Sequence, residues 1–191
     1  MPIAMPATPP PGPINPPERC EECGWSAASV TTDNAEATVR DLGRRYRAPL
    51  TRLLPTDPDD VLRRRPSSTT WSALEYAAHV RDVIAFWGGA LHKLLTEDRP
   101  VLPRPDPSIA DEAAAAGDYN TLDPTTTADE VAANADRMAR KVAIISADQW
   151  DRVVVLGDEQ MTAIAVVRKV AHEGAHHLLD IGRSLRAARG G

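Results

Sequence analysis

No stretch of this 191-residue chain approaches the ~20 consecutive apolar residues that a membrane-spanning helix needs, so a membrane partner is not expected. The opening residues, MPIAMPATPPPGPINPP, lack both the basic and the apolar segments of a secretory signal, which points to the cytoplasm. Positive charge is short as well: 22 Lys and Arg stand against 27 Asp and Glu, for a formal net charge of −5. A nucleic-acid partner needs a basic face, and none is expected here. The local basic spots, RRR at 63–65 and RSLRAAR near the C-terminal end, read as solvated charges near helix ends. Cysteine is scarce, with two in the chain, and in a cytoplasmic setting such residues bind metals or carry redox chemistry more often than they form structural disulfides. No Ser-His-Asp or Cys-His signature of a protein nucleophile is present.

What the chain does have is enough apolar residue to bury one core: 42% hydrophobic against 26% charged. Residues 1–29 form a Pro-rich N-terminal tail that carries a CxxC, and residues 30–188 form the folded domain. Apolar residues recur at three- and four-residue steps (Ala35, Val39, Leu42, Tyr46, Leu50, Leu53), predicting a first helix from about Thr32 to Leu54. A second helix begins at a capping box of Ser72 and Glu75, with Trp71 stapled onto Tyr76. Its apolar row runs Leu74, Ala77, Val80, Ile84, Trp87, Leu91 and Leu94, flanked by Tyr76, Val83, Phe86 and Ala90. Residues 98–125 read as loop, with a turn or two at DEAAAAG. Thr127 and Glu130 make another capping box for a third helix reaching Ile145. DRVVVL is a β-prone run, either a strand or an irregular connection. Thr162 caps a fourth helix extending to about Arg186, with a core stripe of Ile164, Val167, Ala171, Leu178 and Ile181. The expected fold is all-α, an up-and-down four-helix bundle with long loops.

The fourth helix contains VAHEGAHHLLDIGR, which holds three of the five histidines. His172 and His176, four apart, lie ~40° apart around the helix with Cβ atoms roughly 5–6 Å from one another. Two imidazoles so placed can converge on one divalent ion. The third ligand must come from another helix, and His79, in the second apolar row of helix two, is the best candidate. Three histidines leave coordination positions open, the mark of a catalytic or ligand-binding metal. Glu75, Asp82 and Asp180, each one turn from a candidate ligand, are placed to orient the ring N–H groups. His177 is expected to face solvent or a helix neighbour, and His92 to lie on the surface. Tyr119, Asp106 and Trp87 are candidates to line a pocket above the metal, against the plainer readings of core packing and solvent exposure.

WSALEYAAHVRDV, followed far downstream by VAHEGAHHLLDIGR, resembles the two histidine motifs of the DinB/YfiT-like superfamily of metal-dependent four-helix bundles. The likeness covers about residues 30–188 and is closest to an actinobacterial branch in which CxxCG precedes the first helix, as CEECG does here. It implies a divalent metal, zinc or nickel, on one helix-two histidine and a helix-four HxxxH pair, roles that fall on His79, His172 and His176. It also implies kinship with thiol S-transferases and a maleylpyruvate isomerase that use small thiols such as mycothiol or bacillithiol. Many relatives read HxxxHRGQ where this chain reads HEGAHHLLDIGR, so the role of that Arg-Gly-Gln element does not carry over.

Cys20 and Cys23 have three open readings: inert residues, a redox pair, or half of a zinc site that a histidine or a partner chain would close. The leading expectation for function is a metal-dependent enzyme acting on a small molecule, a thiol S-transferase or isomerase that holds its thiol cofactor as a metal thiolate. Glu173 or a metal-bound water would move protons. The alternative is a non-enzymatic metal-binding or sensing bundle, with a homodimer as one arrangement. A closed four-ligand site, or one plugged by the tail, favours that alternative; an open site favours catalysis.

Overall fold

The computed structural model describes residues 14–105, 111, 112, 116 and 118–190. Asp106 and most of DEAAAAG lie outside the described residues, as does the tail before residue 14. Four long helices carry the core: α1 (Ala35–Thr51), α2 (Ala73–Thr96), α4 (Pro124–Val142) and α5 (Ala163–Ala188), with a short α3 (Asp118–Thr121) between. The periodic positions of α1 from Ala35 to Leu50 and the whole Leu74–Leu94 row of α2 are buried, as the spacing predicts. Leu53 is instead exposed, because α1 ends at Thr51. No helix among the described residues is long and apolar enough to cross a membrane.

The helix starts follow side-chain chemistry. Ser72 and Glu75 form the expected capping box: Glu75 N–H donates to Ser72 Oγ (3.2 Å) and Ser72 N–H to Glu75 Oε2 (2.8 Å). Trp71 packs on Tyr76 with ring centroids 5.4 Å apart. Thr162 caps α5. The expected Thr127–Glu130 box is not where α4 begins. Asp123 is the N-cap, accepting from Thr126 N–H at 2.8 Å, and Pro124 takes the first helical position. A proline there loses no hydrogen bond, so the helix gains a turn that the Thr-x-x-Glu pattern leaves out.

Two features correct the expected architecture. The fold is mostly helical but not all-α: β1 (Val101–Leu102) lies parallel to β2 (Val153–Leu156), which forms an antiparallel hairpin with β3 (Glu159–Thr162). Alternate residues Val154, Leu156 and Met161 are buried, and Gly157 takes φ +66° in the tight turn. The bundle also departs from simple up-and-down order. Helix α1 packs on α4 and α5, and α2 packs on the same two, while α1 and α2 scarcely touch. Within each of the α1/α2 and α4/α5 pairs the helices therefore occupy opposite corners, which the long 52–72 and 143–162 connections can span and a short loop could not. At the α1–α4 crossing, a Cβ on Gly43 would sit 2.8 Å from the Ala132 backbone.

The segment before α1 lies on the bundle as a strap. Ile14 N–H donates to the Glu159 carboxylate (3.1 Å), the Asn15 amide to Gln160 O (3.2 Å), and Arg168 Nε of α5 to Val30 O (3.0 Å). Ile14, Ala27 and Val30 are buried.

Candidate metal centre

The HEGAHH segment of α5 holds two interleaved i, i+4 pairs. His172 and His176 form one; Glu173 and His177, one residue on, form the other. One residue is ~100° of helix, so the pairs look in different directions. The structure divides the expected His79, His172 and His176 trio between two groups. His172 and His176 meet Cys20 and Cys23, whereas His79 meets Glu173 and His177; in each group the ligand atoms lie within 4.8 Å of one another.

The first group is built by the strap. Cys20 N–H donates to Trp25 O (2.8 Å) and Gly24 N–H to Cys20 O (2.9 Å), folding Cys20–Trp25 into a tight knuckle. Gly24 has φ +73°, the left-handed conformation that glycine adopts without strain. The Arg19–Ser26 bridge closes the base of the knuckle. Trp25 then packs on the His172 ring at 5.1 Å, and Arg183 pairs with Glu22. Cys20 Sγ stands 3.6 Å from His176 Nδ1. The other nitrogen of that ring faces Glu22 and Asp180 carboxylate oxygens at 3.6 and 3.7 Å. Among the described residues, neither buried ring nitrogen of His172 has a hydrogen-bond partner. The Cys23 backbone N–H and the nearby imidazoles of His172 and His176 draw the Cys20 thiol down to about 6, against the opposing effect of burial. Burial pushes the Cys23 thiol up.

The second group joins α2 to α5. His177 Nε2 lies 3.4 Å from Glu173 Oε2, and His79 Nε2 lies 4.0 Å from the same oxygen. Asp180 Oδ2 holds His177 Nδ1 at 3.0 Å, and Lys169 Nζ holds the other Glu173 oxygen at 3.1 Å. Tyr76 stacks on His177, and Trp71 meets His79 edge-on. Burial, followed by the charge of His177, pushes His79 down to about 4, which leaves it a neutral imidazole. Burial works against a charged His177, but Asp180 and Glu173 outweigh it and raise the ring to about 9. Glu173 is correspondingly held well below the usual carboxylate range: burial opposes this, and His177 and Lys169 overcome it.

Of the two expectations for His177, solvent or a helix neighbour, the structure shows the second: its side chain is 16% exposed and sits between Tyr76, His79 and Glu173. Asp180 lies beside both His177 and His176. Glu75 is turned elsewhere: its buried carboxylate takes Arg65 Nε at 2.8 Å. The basic run accordingly ties the fold together, for Arg63 also donates to the Asn120 and Leu122 carbonyls. Asp82 accepts from the Tyr119 hydroxyl (3.0 Å) and pairs with Arg81. Trp87 is in the core, and His92 is exposed. The Glu173–His177 pairing has a signal in the sequence, an ExxxH at the same spacing as HxxxH; read from the sequence alone, Glu173 is a proton carrier and His177 is not among the expected ligands.

The fold and its donor clusters define a four-helix bundle that presents possible metal ligands from inward helix faces. The chain belongs to the DinB superfamily, which it matches over residues 32–181. Two solved structures are similar. YfiT from Bacillus subtilis, described as a probable metal-dependent hydrolase with an unusual four-helix bundle topology, aligns at TM-score 0.70 and 16% identity, covering 93% of this chain and 94% of that one. The mycothiol-dependent maleylpyruvate isomerase aligns at TM-score 0.62 and 17% identity, covering 83% of this chain and 63% of that one. At such identities the likeness concerns the fold. A search of curated proteins finds no match.

Proposed function

We propose that this protein is a divalent-metal-dependent enzyme whose ion is held by His79, Glu173 and His177, and that it carries out thiol-dependent S-transfer or isomerisation on a small molecule. The observation that carries the reading is the three-donor group itself. His79 Nε2 and His177 Nε2 flank one oxygen of Glu173, while Asp180 and Lys169 hold the opposite atoms, His177 Nδ1 and Glu173 Oε1. A nitrogen and an oxygen on one ion are separated by roughly 3 Å, given bonds of about 2.0–2.2 Å, so small side-chain movements close the group on a metal. Three protein ligands leave a position for water or substrate, as catalytic zinc sites do.

A bound divalent ion would supply Lewis acidity, lowering the pKa of a coordinated thiol or water toward neutrality. The chain's own part is positional. Asp180 fixes the His177 ring so that Nε2 is the ligating nitrogen, as carboxylate partners of metal-binding histidines do. Lys169 compensates Glu173 and adds a positive charge at the edge of the group, suited to an anionic substrate. Tyr76 and Trp71 supply apolar walls. The small-thiol assignment draws on the resemblance to the mycothiol-dependent isomerase.

The test is cobalt substitution in the Cys20→Ser/Cys23→Ser double variant, so that any sulfur-to-metal charge transfer comes from added thiol. Titration with mycothiol or bacillithiol should produce that absorption, and loaded wild-type protein should consume thiol with monobromobimane faster than His177→Ala. An unchanged cobalt spectrum at millimolar thiol rejects the thiol-transfer reading. The second reading, a metal-binding or sensing bundle without catalysis, is favoured by the first group, which has four donors and is covered by the chain's own strap. It would be adopted if the His79 group binds metal but neither thiol nor water exchanges there.

A further inference from the structure

We infer that Cys20, Cys23, His172 and His176 form a second metal site, a closed Cys2His2 zinc centre that clamps the N-terminal strap onto α5. It is separate from the open group at His79 and has a different purpose. Four donors from two chain segments, Cys20 and Cys23 on the strap and His172 and His176 on α5, bring their ligand atoms within 4.8 Å of one another.

The geometry suits a tetrahedral ion. With Zn–S of about 2.3 Å and Zn–N of about 2.0 Å, sulfur and nitrogen ligands stand roughly 3.6 Å apart. Cys20 Sγ and His176 Nδ1 are 3.6 Å apart. The knuckle at Cys20–Gly24 points both sulfurs the same way, and its left-handed glycine makes the turn tight enough to do so. The two nitrogens of His172 provide the second line of argument. Both are buried and, among the described residues, neither has a hydrogen-bond partner, an arrangement that costs free energy in a packed protein unless a nitrogen has some other ligand. The third is the back of His176, where Nε2 faces Glu22 and Asp180. A carboxylate behind a ligating imidazole orients the ring and raises its basicity.

The charges and protons balance. Two thiols lose their protons to solvent as zinc binds, the imidazoles bind as neutral rings, and the two thiolates neutralise the ion. Four protein ligands leave no open position, so this ion is structural. It joins positions 20 and 172, distant in sequence, and such a cross-link restricts the unfolded chain strongly.

The test uses the full chain. Elemental analysis of zinc-loaded protein should show that Cys20→Ser/Cys23→Ser loses one equivalent of metal relative to wild type. His79→Ala/His177→Ala should keep that equivalent. This difference is independent of the proposed catalytic group: if that group binds nothing, wild type carries one ion and the cysteine variant none. Cobalt-loaded wild type and His79→Ala/His177→Ala should both show sulfur-to-cobalt charge transfer with no added thiol. A measurement on wild type alone covers the case of a cysteine variant that does not fold. Both thiols should resist a disulfide reagent while zinc is bound, then react on chelation with release of one zinc per two thiols. Equal metal content in wild type and cysteine variant, free thiol reactivity in the loaded protein, or a Cys20–Cys23 disulfide in place of bound metal would each overturn the assignment.

Discussion

Glu75 shows how one residue can serve the fold when its spacing suggests a site. Its carboxylate is wholly buried, receives the Arg65 guanidinium, and accepts from Ser72 N–H to start α2. Removing one partner of a buried pair costs more than the pair contributes, because the remaining charge loses its compensation. Arg65 is 29% exposed and can reach water, which keeps the cost at the lower end of the usual range. Glu75→Ala should therefore destabilise by about 3 kcal/mol, measured as a lower urea midpoint. Gly43 makes the opposite case, in which adding atoms does the damage. Alanine gains up to about 1 kcal/mol in helix propensity, but its Cβ would stand 2.8 Å from the Ala132 backbone, which cannot swing aside. Because the contact is with backbone, the cost falls in the upper part of the usual overpacking range, about 2–3 kcal/mol, and Gly43→Ala should lose about 1–2 kcal/mol net. At Asp180, replacement by Asn removes the carboxylate behind His177 and beside His176. Asp180→Asn should weaken metal binding by about 10–100-fold in a chelator-competition titration. Unchanged affinity would mean that the histidines need no such support.

At the scale of elements, α4 separates two readings of a helix start. Asp123 caps it, so Asp123→Ala should cost about 1 kcal/mol of unfolding free energy. Glu130, the partner in the expected box, instead meets Arg81 at the surface. Glu130→Ala should fall within about 0.5 kcal/mol of wild type, as surface ion pairs do. Reversed magnitudes in parallel denaturant melts would restore Thr127 as the cap. The strap is a second element with a measurable identity. Its own buried residues are few, Ile14, Ala27 and Val30, so its attachment relies on hydrogen bonds, the Trp25–His172 contact and the proposed zinc.

For the whole molecule, helix formation and metal binding are separable. The core of α1, α2, α4 and α5 is apolar and includes neither cysteine. Cys20→Ser/Cys23→Ser should accordingly retain wild-type helical circular dichroism at room temperature. The melting temperature should fall all the same, since a ligand present at 1,000 times its Kd adds about 4 kcal/mol to the folded state. Chelation of wild type should lower it similarly and have a smaller effect on the cysteine variant. A melting temperature indifferent to chelator would remove metal from the stability of this fold.

The sequence by itself determined the four core helices, because burial at a 3.6-residue period is a local pattern that each segment carries alone. It determined the Ser72–Glu75 cap for the same reason, and it singled out His79, His172, His176 and the two cysteines as unusual residues to keep. What only the tertiary structure decided was partnership. HEGAHH contains two ligand pairs a single residue apart, and which pair meets His79 depends on the rotation of α5 against α2. That rotation is fixed by contacts distant in sequence, among them Tyr46 Oη donating to Gly174 O at 2.9 Å in the core and Tyr76 stacked on His177. The diagonal placement of α1 and α2 belongs to the same class, since loop length permits it but does not require it. So does the meeting of Cys20 with His176. A CxxC can state that two sulfurs are close, but chain folding over more than a hundred residues decides which imidazoles complete the set.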